Sequence, residues 1–129
     1  LGDWACRCSG RLTTMAEHYF NLNRKYLREA DEFLVKGEPI QASEKLWGAA
    51  AEIVKAVAAK RGIELRSHRD FWEFVDKLAD ELKDPDIVKL FSMANALNQN
   101  FCEAWMPSGA VKRDAEAVRQ LNEKLEKLL

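Results

Sequence analysis

The chain has 129 residues, 32 % of them charged and 47 % hydrophobic, and its 20 lysines and arginines nearly cancel its 21 aspartates and glutamates. That length suits one domain with a single core, and the balanced charge argues against a general nucleic-acid-coating or membrane-coating role. No apolar run approaches the roughly 18 residues of a membrane span, and no basic, apolar, small-residue signal opens the chain. A soluble cytoplasmic protein with no membrane partner is expected. Of the three cysteines, Cys6 and Cys8 are separated by one residue, so a disulfide framework is not expected. No second Cys or His pair stands at metal-site spacing, so neither a metal nor another cofactor is expected.

Residues 1–14 show no helical period and read as a weakly structured leader or extension, whose Leu1, Trp4, Ala5 and Leu12 could dock on a bundle. The domain proper is expected over 15–129. Thr14 with Glu17 makes a capping-box pattern, and Tyr19, Leu22, Tyr26, Ala30 and Phe33 supply an apolar face over 15–36. The next segment is the most complete helix of the chain, over 39–61. Pro39 suits the first turn and Gly62 the left-handed residue after the last one. Leu46, Ala49, Ala50, Ile53 and Val57 lie on one face, and a run of small side chains that includes Gly48 lets neighbours approach on several sides.

Ser67 can cap a third helix over 68–83 with Phe71, Phe74, Val75, Leu78 and Leu82 inward. Asp84 and Pro85 restart the chain at once, predicting a tight hairpin into a fourth helix over 86–105. Ile87, Leu90, Phe91, Ala94, Leu97, Phe101 and Trp105 line its apolar face. After a break at Pro107 to Gly109, Val111, Ala115, Val118, Leu121, Leu125 and Leu128 stripe a fifth helix over 110–128. No stretch alternates with period two over a strand length, so the fold class is all-α, an up-and-down bundle of about five helices.

The run YLREADEFLVKGEPIQASEKLWGAAAEIVKAVAAKRG, then SHRDFWEFVDKLADEL and ANALNQNFCEAW, resembles the archaeal PaREP-type family, placed in the HEPN superfamily of small helical bundles. The resemblance spans about residues 16–128, and Trp47 with Gly48 is its most specific part. It implies an up-and-down bundle, an archaeal source and a homodimer, but no single activity: many HEPN relatives are metal-independent RNases or partners of nucleotidyltransferases in toxin–antitoxin or defence systems.

RNA cleavage of that kind needs a His to move the proton of the 2′-hydroxyl or leaving oxygen, and an Arg to stabilise charge at phosphorus. The HEPN signature carries them late in the bundle, yet Met93 to Trp105 contains neither. Asn98 stands where relatives often have His, and Cys102 where they often have Tyr. An amide is no general base near neutral pH, so the reading is a non-catalytic interaction or nucleic-acid-associated protein.

The alternative is an RNase whose chemistry has moved to Arg61 and His68, which bracket the loop between the second and third helices beside Lys60, Arg66 and Arg69. A second Arg-to-His match, Arg11 with His18, starts in the leader and carries less weight. The bland reading of the loop, a solvated turn with His68 packed at the helix start, is favoured over a phosphate-binding corner. On the fourth helix Asn95, Asn98 and Cys102 form a polar stripe with Gln99 beside it, and Asn100 and Glu103 follow. With Arg66 and Arg69 these are the candidates for binding a ligand, RNA or a protein partner, against a boundary face whose amides bond to neighbouring helices. Trp47, Trp72 and Trp105 read as core or interface anchors rather than base-stacking platforms.

Overall fold

A computed structural model describes the backbone of residues 4–129 and the side chains from Met15 onward. These residues form five helices and no strand: α1 Trp4–Val35, α2 Pro39–Lys60, α3 His68–Leu82, α4 Asp86–Glu103 and α5 Ser108–Glu126. The expectation of five helices in one all-α domain is met. One boundary differs, since α1 starts at Trp4 rather than at Thr14. That stretch holds no proline, and a helix nucleated further on extends backwards at a cost of only about 1 kcal/mol even for Gly10. Thr14 therefore lies inside α1 and does not cap it, whereas the docking of the leader side chains, the Cys6 and Cys8 pair and the Arg11 side chain lie outside the described side chains.

Punctuation in the sequence sets the other ends. Pro39 occupies the first turn of α2, and Ser67 with Asp70 forms a reciprocal capping box at α3. Gly37 and Gly62 take φ of +76° and +75°, conformations that a Cβ disfavours. Beyond α2 the Ile63 N–H reaches back to the Ala58 carbonyl at 2.9 Å, satisfying an acceptor that the helix leaves open.

Helix α2 is the centre of the bundle. Leu46, Ala49, Ala50, Ile53, Val54, Val57 and Ala58 are buried in one cluster with Phe74, Val75 and Leu78 of α3, Ile87, Phe91 and Leu97 of α4, and Val118 and Leu121 of α5. Its small residues allow the close approach of α1. A Cβ on Gly48 would stand 3.1 Å from the Tyr26 ring, over which the Lys45 ammonium sits 5.3 Å from the centroid.

The paired side chains give the directions of the helices. Phe91 packs on Trp47 and Asn100 bonds Ser43, so α4 runs against α2. His68 stacks on Trp47 while Arg61 bonds Glu81, so α3 runs with α2. Residues 61–67 are therefore a return crossover rather than a tight turn. Helix α3 lies on the flank formed by α2 and α4.

Three expected core positions are exposed instead. Phe101 is 42 % and Trp105 53 % exposed, and Trp105 stands beyond the end of α4. The buried stripe of α4 continues from Leu97 to Asn100 instead, one position short of Phe101. Leu82 at the end of α3 is also exposed.

Candidate functional site

The crossover brings His68 beside α4. Its ring stacks on Trp47 at 5.8 Å between centroids and 29° between planes. Its Nε2 lies 2.9 Å from Asn95 Oδ1, an arrangement in which Nε2–H donates. Beneath them Phe91 is the hub of an aromatic cluster, edge-on to Trp72 at 4.8 Å and tilted against Trp47 at 5.7 Å. His68 thus closes an aromatic cluster of α2, α3 and α4 from the solvent side, the packing role that the bland reading assigned it.

Arg61 does not join His68. Its guanidinium bonds Glu81 at 2.7 Å, at the far end of α3, and at about 1.5 Å rise per residue that end lies about 20 Å along the helix from His68. Two other cations of the corner are also paired. Arg66 meets Glu64 at 3.1 Å, and Arg69 meets Glu73 at 2.8 Å. Hydrogen bonds from these arginines come first among the causes that raise Arg66 and Arg69 and hold Glu81 low. Asp70 is held low chiefly by the backbone N–H of Arg66. The loop therefore carries balanced charge and no cluster of free cations for a phosphate.

The polar stripe on α4 separates into three kinds of position. Asn95 serves His68, and Asn98 is half-buried one turn further on. Asn100 is fully buried: its Nδ2 donates to Ser43 Oγ at 2.9 Å, and its Oδ1 accepts the Met106 N–H at 2.7 Å. Gln99, Cys102 and Glu103 are exposed, as are Phe101 and Trp105. His18 of α1 is exposed beside Tyr19.

One feature escaped the sequence reading although the sequence carries it. From Leu90 to Val111 the only charged side chain is Glu103, in a chain that is 32 % charged. Exposed residues elsewhere are rich in charge; here, apart from Glu103, they are Phe101, Cys102, Trp105, Pro107 and small or amide side chains. Among the described residues there is no group of three or more His, Cys, Asp or Glu suited to a metal ion, and no helix long and apolar enough to cross a membrane.

The fold defines a small helical bundle whose late helix, with the turn after it, carries amides and exposed aromatics. The archaeal PaREP1/PaREP8 family matches residues 18–122, and the chain belongs to that family. A solved protein of Sulfolobus solfataricus is similar over 83 % of this chain and 95 % of its own, at 26 % identity and a TM-score of 0.74. No curated protein matches.

Proposed function

We propose that the protein is a non-catalytic, HEPN-like interaction protein that pairs with a second copy of itself through the end of α4. The observation that carries this reading is the charge-poor run from Leu90 to Val111, which exposes Phe101 and Trp105. Depletion of charge with aromatic enrichment marks the centre of an interface, most strongly in homodimers. A segment whose single charge is Glu103 offers little for an oppositely charged partner to complement, whereas apolar side chains such as Phe101 and Trp105 match their own copies about a two-fold axis. The HEPN resemblance supports a place in a prokaryotic toxin–antitoxin or defence pair, in the cytoplasm, with a nucleotidyltransferase or RNA as the further partner.

The RNase alternative requires Arg61 and His68 to act on one phosphate. Their separate partners, Glu81 and Asn95, do not favour it. Light scattering on the wild type and on Trp105→Glu tests the interaction reading. A dimer that the introduced carboxylate breaks, with helical content retained, is the expected result; equal masses for the two proteins would refute it.

A further inference from the structure

We infer that Asn100 is a positioning residue for the self-association surface, an inference that rests on the pairing reading above. Asn100 is 1 % exposed and cannot meet a partner itself. It holds both sides of the turn that carries Trp105. Its backbone carbonyl accepts the Ala104 N–H at 2.7 Å, and its side-chain Oδ1 accepts the Met106 N–H at 2.7 Å. Its Nδ2 donates to Ser43 Oγ, which in turn donates to the Pro39 carbonyl at 2.8 Å, so the turn is anchored to the first turn of α2.

Between these bonds the backbone is strained. Ala104 takes φ of +52° and ψ of +49°, a left-handed conformation that a Cβ disfavours. After α1 and α2 the chain places glycine where φ is positive, at Gly37 and Gly62, and after α3 an exposed lysine, Lys83, at φ of +53°. Here it keeps alanine and clamps it with a buried amide. A left-handed residue directly before Trp105 turns the chain off the helix axis and leaves Trp105 exposed beyond the end of α4. Fixing that turn before association removes an ordering cost that a flexible tail would bear at the moment of binding.

The test uses the full chain and three variants, with dimer dissociation constants from sedimentation, Met106 amide exchange, and thermal midpoints. Ala104→Gly relieves the strain and loosens the turn. The expected result is an unchanged or raised midpoint, faster Met106 exchange, and dimerisation weakened about tenfold, equivalent to about 1.4 kcal/mol. Asn100→Ala is expected to weaken dimerisation at least as much, and should it fail to fold, Ala104→Gly decides. If Trp105→Ala weakens the dimer while Ala104→Gly does not, the positioning role is overturned and the pairing surface stands. If Trp105→Ala leaves association unchanged, or the wild type is monomeric, the pairing surface itself is refuted and the inference falls with it.

Discussion

The side-chain amide of Asn23 donates to Asn122 Oδ1 at 2.6 Å and to the Ala49 carbonyl at 2.7 Å, tying α1 to α5 and α2 at the middle of the bundle. Asn23 is fully buried and its own Oδ1 has no partner among the described residues. Asn23→Ala strands a buried amide oxygen and opens a small void, so urea unfolding is expected to show a loss of about 1–3 kcal/mol. Replacing both asparagines by leucine removes the donors and acceptors together and is expected to recover most of that loss.

How much of this was legible in the sequence follows from where the polar groups lie. Apolar spacing, Pro39, Gly37, Gly62 and Ser67 disclosed all five helices, because each signal acts within a turn or two. Asn23 and Asn100 were not recognisable as buried, since their partners lie 99 and 57 residues away. Among the described side chains of α1 the buried ones are Ala16, Asn23 and Ala30, and of these the apolar spacing points only to Ala30. On α4 the same search extended the core to Phe101, although the amide at Asn100 is what the interior holds. The distance between Arg61 and His68 was equally hidden, because only the return crossover shows that seven residues of loop span much of the bundle.

Acid should weaken the fold through its paired carboxylates. A hydrogen bond from Lys124 holds Asp84 below its usual range, as one from Arg61 does for Glu81. A carboxylate depressed in the folded state contributes stability that is fully present above its unfolded pKa and is lost as pH falls through the folded one. Asp114, raised by burial, acts in the opposite sense and favours the folded state on acidification. Thermal midpoints are therefore expected to fall across the carboxylate range, with a shallower fall in Asp84→Asn and a steeper one in Asp114→Asn.

Purified protein should leave single-stranded and structured RNA intact, with or without EDTA. His68→Ala is expected to keep the fold and to cost about 1 kcal/mol, the scale of one aromatic pair, because the ring covers Trp47 and meets Asn95. Cleavage that survives EDTA and disappears in both Arg61→Ala and His68→Ala would install the enzyme reading in place of the interaction reading.

Sedimentation equilibrium of the wild-type chain over a micromolar concentration series bears most directly on the central claim. Self-association through the charge-poor end of α4 predicts a mass twice the 14.8 kDa of one chain, falling to that of one chain when Phe101 and Trp105 are both replaced by serine. A wild-type mass of 14.8 kDa at every concentration, or a dimer indifferent to both substitutions, would contradict it.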